Sequence, residues 1–255
     1  MDTIYRISAV SYLNTMPFLY GLRNHKVMNQ IELVLDHPAR CAEKLLSNEA
    51  DIGLVPVAVL PEMNNPEIIS DYCLGARGPV HSVILYSDVK LHEIESIKLD
   101  YQSRTSVNLA RILAARYWKI KPNWTPAAFG FENNSLNSKE ACLIIGDRSF
   151  GMRKKHPYVW DLSEEWWNFT GLPFVFATWT ANKQIDKEFL KSFNEALRYG
   201  VSHIREAVDK APENTALGRI ELFHYLSEDM SYPLDNEKKE GLNRFIKELK
   251  NLNIT

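Results

Sequence analysis

The sequence predicts an α/β protein whose sheet is largely parallel. Short runs rich in Val, Ile and Leu recur at 4–10, 31–35, 51–58, 82–86, 97–99, 141–145 and 174–179. Stretches with apolar residues at helical spacing lie between several of them. Alternating strands and helices build crossover units and hence parallel pairing. Two of the runs, 82–86 and 174–179, bracket a middle unit that repeats the pattern of the first.

The elements follow in order. The strand at 4–10 opens into the loop Ser11-Tyr12-Leu13-Asn14-Thr15-Met16-Pro17, and a helix starts near Pro17, where proline is tolerated. A strand at 31–35 precedes a helix over 38–48 with Ala42, Leu45 and Leu46 on one face. The run 51–58 reads as a buried strand entering a turn. After the strands at 82–86 and 97–99, Ser103-Arg104-Thr105-Ser106 leads into a helix through Trp118. Its face carries Val107, Ala110, Leu113, Ala114 and Tyr117. The strand 141–145 ends at Gly146-Asp147.

Beyond Asp186 the pattern stays helical. Phe189, Leu190, Phe193, Leu197, Val201 and Ile204 form one stripe. Leu217, Ile220 and Tyr225 belong to a second helix. Leu242, Phe245, Ile246 and Leu249 belong to a third, with Asp235 as its N-cap. If both bracketing strands cross between domains, residues 1–83 and 178–255 form one domain and 84–177 an inserted one. A ligand would then sit in the cleft between them.

Composition narrows the function. With 45% hydrophobic and 24% charged residues, the chain is that of an ordinary globular protein. A net charge of −2 supplies no bulk field for nucleic acid or an anionic membrane, so an anion site must be local. Met1-Asp2-Thr3-Ile4-Tyr5-Arg6 is not a secretory start, and no apolar stretch approaches the roughly 20 residues of a membrane helix. Cys41, Cys73 and Cys142 are odd in number and widely spaced, which suits a reducing compartment. The expected location is cytoplasmic. The seven histidines form no H-E-x-x-H pair, and C-x-x-C, G-x-G-x-x-G, Walker A and G-x-S-x-G patterns do not occur. Neither a metal nor another cofactor is expected.

Four constellations remain. Ser11–Pro17 follows the first strand, where open α/β sheets place ligand loops; its Ser, Asn and Thr side chains can donate to a carboxylate or simply cap a turn. Ser103-Arg104-Thr105-Ser106 offers hydroxyls and a helix N-terminus to an anion, or plain N-capping. In Gly78-Pro79-Val80-His81-Ser82, a regular strand would turn only one of His81 and Ser82 toward the cleft. Asp147 in Gly146-Asp147-Arg148 could cap a turn, pair with Arg148 or act as a base. The aromatic run Trp160, Trp166, Trp167, Phe169 and Phe174 reads as core and hinge packing.

Several segments, in this order, resemble one family: Ser-Tyr-Leu-Asn-Thr-Met-Pro (11–17), Gly-Leu-Val-Pro-Val (53–57), Gly-Pro-Val-His-Ser-Val (78–83), Ser-Arg-Thr-Ser-Val (103–107), Ile-Gly-Asp-Arg (145–148), Asp-Leu-Ser-Glu-Glu-Trp (161–166) and Thr-Gly-Leu-Pro-Phe-Val-Phe-Ala (170–177). The family is chorismate dehydratase of the futalosine route to menaquinone. The resemblance spans residues 4 to about 180, and the helical tail adds little to it. It implies a type II periplasmic-binding-protein fold with a cleft between two domains. It implies conversion of chorismate to 3-[(1-carboxyvinyl)oxy]benzoate and water. On this pattern Asn14 and Ser82 are catalytic, while Ser11, Ser103, Thr105, Ser106, Gly146 and Asp147 bind substrate. A sister enzyme, 1,4-dihydroxy-6-naphthoate synthase, shares the fold, but its first loop does not read Ser-Tyr-Leu-Asn. A non-catalytic solute-binding module is the competing class, since fold does not set function. Three bases stay open: Asp147, His81, and the substrate's own enolpyruvyl carboxylate held by Asn14 and Ser82.

Overall fold

The computed structural model describes residues 3–252. Met1 and Asp2, part of the N-terminal reading above, lie outside the described residues. Strand β1 (Tyr5–Val10) runs through a 3-10 turn (Leu13–Thr15) into α1 (Met16–Arg23), and β2 (Ile31–Asp36), α2 (Pro38–Leu46) and β3 (Ile52–Pro56) follow. The long β4 (Glu67–Ala76) leads to β5 (Val83–Ser87), β6 (Ser96–Leu99), α3 (Thr105–Leu113), β7 (Asn123–Pro126), β8 (Glu140–Ile145), β9 (Tyr158–Asp161) and α4 (Leu162–Thr170). The chain closes with β10 (Phe174–Ala181), α5 (Lys187–Ser202), α6 (Ile204–Asp209), α7 (Arg219–His224), β11 (Ser231–Pro233) and α8 (Asn236–Leu252).

The strands form two sheets, of order β11-β4-β10-β3-β1-β2 and β7-β6-β8-β5-β9. Each is parallel only in part. β1 pairs in parallel with β2 and β3, and β6 with β7 and β8. β10 runs antiparallel to β3 and β4, and β5 to β8 and β9. The expectation of a largely parallel sheet is corrected accordingly. β4 takes the chain out of the first sheet and β10 brings it back alongside, so these neighbours must run in opposite directions. Neither bracketing strand is shared between sheets. β5 lies in the second and all of β10, including 174–177, in the first, so the connections are 77–82 and 162–173.

Strand β4 escaped the pattern reading because Glu67, Ser70, Asp71 and Tyr72 interrupt its apolar residues. The helix expected through Trp118 is α3 plus a π-helical turn over 114–118, stopped by Lys119 at φ 56. The turn shifts the helical phase and leaves Tyr117 39% exposed. Another π-helical turn over 225–229 follows α7. Here Leu222, Tyr225 and Leu226 are buried, whereas Ile220, expected on that stripe, is 88% exposed.

Close packing holds the first loop in place. α1 and α5 cross at Gly21 and Gly200, where a Cβ would sit 2.0 Å from Ala196 O and 1.9 Å from Pro17 O respectively. Trp166, Phe174 and Phe245 are fully buried and pack edge-on, with centroids 5.5 Å and 5.2 Å apart along the chain of rings. They tie α4, β10 and α8 together where the chain re-enters the first sheet. Asp235 Oδ1 accepts the Lys238 amide at 2.8 Å, capping α8. The three cysteines are free and buried. No described helix is long and apolar enough to cross a membrane.

Candidate active site

Between the sheets lies a cleft of about 490 Å³ counting the open space at its mouth, at the kind of concave junction where small molecules bind. Its apolar wall comes from Val10, Leu74, Val80, Val83, Ile145 and Phe176, and its polar groups are Tyr12, Asn14, Ser82, Ser103, Thr105 and Ser106. Among the described residues no carboxylate, ammonium, imidazole or guanidinium lines it.

Asn14, Ser82, Ser103, Thr105, Ser106 and Gly146 thus come together around one space. Asn14 arrives on the turn after β1, where the carbonyl of the residue accepts the Tyr232 hydroxyl at 3.1 Å. Ser82 sits just before β5, buried to 1%, with Tyr225 Oη donating to its Oγ at 2.8 Å. The alternation rule does not apply to its neighbour. His81 precedes the strand with φ 63, and its ring points outward, 43% exposed and 4.0 Å from Asp229. The Asp161 carboxylate holds this conformation by accepting the amides of Val80 and His81 at 3.0 Å and 2.6 Å.

The start of α3 has two tasks. Ser103 Oγ, one residue before the N-cap Arg104, accepts the Ser106 amide at 3.1 Å; first-turn N–H groups have no acceptor within the helix. The Thr105 hydroxyl is already committed: it donates to Phe176 O at 3.0 Å and accepts from Ala58 N at 3.3 Å. It joins the second sheet's helix to β10 of the first, and the Ser106 hydroxyl stays available. Gly146, at φ 67, gives up its side chain to Tyr12, whose ring would lie 2.6 Å from an added Cβ.

Ser11 and Asp147 are placed elsewhere. Both line an outer groove with Met16, Arg23 and Lys210. The Asp147 carboxylate accepts the Leu13 amide at 3.1 Å and 3.3 Å, and burial pushes its pKa up to about 6, against the pull of that amide and of Arg148. Arg148 does not pair with Asp147 but with Asp100, at 2.6 Å. Pattern reading missed Tyr12 and Tyr225 as site residues. Tyr12 stood inside a quoted motif, hydrogen-bonding across the cleft to Gln102, whereas Tyr225 looked like one more helical apolar position.

A family model described as menaquinone biosynthesis matches residues 5–251. The chain belongs to that family. Its curated relatives include a chorismate dehydratase of Thermus thermophilus, 26% identical over 96% of this chain and 95% of the relative. Another, the chorismate dehydratase of Campylobacter jejuni, is 31% identical over 80% of this chain and 96% of the relative. Among solved structures, a Candida albicans protein described as having the generic periplasmic-binding-protein fold superposes with TM-score 0.68. It is 14% identical, with 99% of this chain and 90% of that chain covered. The menaquinone-biosynthesis family therefore has, in this chain, the periplasmic-binding-protein fold that its motifs implied.

Proposed function

We propose that the chain is a chorismate dehydratase, converting chorismate to 3-[(1-carboxyvinyl)oxy]benzoate and water. The names of the two relatives support the substrate. The two sheets would be the cores of two domains closing on the ligand, with the crossings at 77–82 and 162–173 rather than at 83 and 177.

The C3 proton of chorismate is vinylogous to the ring carboxylate. Its removal gives a dienolate, and departure of the C4 hydroxyl as water leaves an aromatic ring, which drives the reaction. Fixed donors at the ring carboxylate stabilise the dienolate as charge develops. The Ser106 hydroxyl at the N-terminus of α3 suits this role. The neutral lining carries the mechanistic reading: Asp147 faces an outer groove and His81 faces Asp229, so neither reaches the cleft. The base is then the substrate's enolpyruvyl carboxylate, held by Asn14 and Ser82, and proximity of this kind is worth about 7 kcal/mol or more of barrier in well-oriented cases.

The test is incubation with chorismate in the presence of excess chelator, following the aromatic product by absorbance and NMR. Turnover supports the reading. A thermal shift without turnover makes the chain a solute-binding module instead.

A further inference from the structure

We propose that Tyr225 is a positioning residue for this reaction: its hydroxyl holds the Ser82 oxygen so that the serine hydrogen is aimed into the cleft. The inference rests on the dehydratase reading above. Tyr225 opens the π-helical turn over 225–229, the kind of local widening that re-aims a side chain. It is 3% exposed, and its ring packs edge-on against Phe150 at 5.1 Å, so the phenol has little freedom. Its Oη lies 2.8 Å from Ser82 Oγ. One buried phenol therefore holds one of the two residues assigned to the substrate carboxylate.

Hydrogen-bond arithmetic sets the roles. A serine hydroxyl has one hydrogen to give. The phenol is the better donor of the pair. When it donates to Ser82 Oγ, the serine hydrogen is free, and among the described residues no acceptor is bonded to it. Burial pushes the phenol's pKa well up, so it remains a donor at any working pH. A carboxylate in the cleft then meets a serine whose hydrogen already points the required way. Without the phenol, the serine can turn that hydrogen elsewhere, and part of each encounter is spent in the wrong orientation. Tyr232, 2% exposed, supports the other residue through the Asn14 carbonyl, so the chain's C-terminal segment braces both.

The test is a cycle of Tyr225→Phe, Ser82→Ala and the double variant in the full chain, with kcat, KM and melting temperature measured for each on chorismate. Tyr225→Phe should lower kcat by about 10-fold, the value of one hydrogen bond, with KM within about 2-fold. Its melting temperature should stay close to wild type, since the ring is kept. The double variant should be no slower than Ser82→Ala alone. An unchanged kcat in Tyr225→Phe, or losses that multiply in the double variant, overturn the assignment while leaving the dehydratase reading in place. A wild-type chain that does not turn over chorismate overturns that reading, and the role of Tyr225 with it.

Discussion

The cleft separates two kinds of polar residue: neutral donors that face it and charged groups that stand behind it. Asn14 and Ser82 belong to the first kind. Replacing either with Ala should lower kcat by at least about 100-fold, as expected for a lost positioning or oxyanion donor. Asp147→Asn should keep most of the wild-type turnover at saturating chorismate. A folded but inactive Asp147→Asn, beside a near-normal Asn14→Ala, would make Asp147 the base. Asp147 also makes a stability prediction. Burial raises its pKa from 3.8 to about 6, so between those values the folded chain binds more protons than the unfolded one. Stability therefore falls as pH rises through that window and then levels off. Asp147→Asn keeps an acceptor for the Leu13 amide without the buried charge. It should melt higher than wild type at pH 7 to 8, by roughly 2–3 kcal/mol in stability, with the gap closing below about pH 4. Melting curves that stay offset by the same amount at every pH would contradict the shift.

At the scale of elements, the informative feature is how α3 begins. The Ser-Arg-Thr-Ser stretch announced a helix start, and α3 starts there. The division of labour among its hydroxyls was not legible. Ser103 accepts the Ser106 amide from just before the helix, and Thr105 bridges to Phe176 O and Ala58 N, which lie far away in sequence. Thr105→Val keeps the shape and removes both bonds, leaving two backbone groups unsatisfied in a buried place. It should destabilise the protein by about 1–3 kcal/mol in urea unfolding. A variant as stable as wild type would show that the bridge contributes nothing. Strand β4 shows the converse limit. Its place beside the edge strand comes from pairing with β10 and β11, and no local apolar run predicted it.

Across the whole molecule, one buried carboxylate joins the two connections between sheets. Asp161 accepts amides from Val80 and His81 in the first connection and from Ser163 and Glu164 at the start of the second. Asp161→Ala leaves all four without that acceptor. It should cost at least about 3 kcal/mol and lower the melting temperature in one cooperative step. Loss of activity with an unchanged melting curve would point instead to a local role at Ser82.

The α/β class, the loops that reach the cleft and the family were legible in the residues alone, because these rest on local periodicity and on short motifs that a chain carries wherever it folds. Which side of each loop faces the cleft depended on long-range packing. Ser11 and Ser82 are equally polar in the sequence, yet one lines the outer groove and the other the cleft. The difference lies in His81's left-handed backbone and the amides that Asp161 draws in from a distance. Tyr225 met Ser82 for the same reason: the contact spans 143 positions, and such a contact exists only once both sheets and the helices on them have packed.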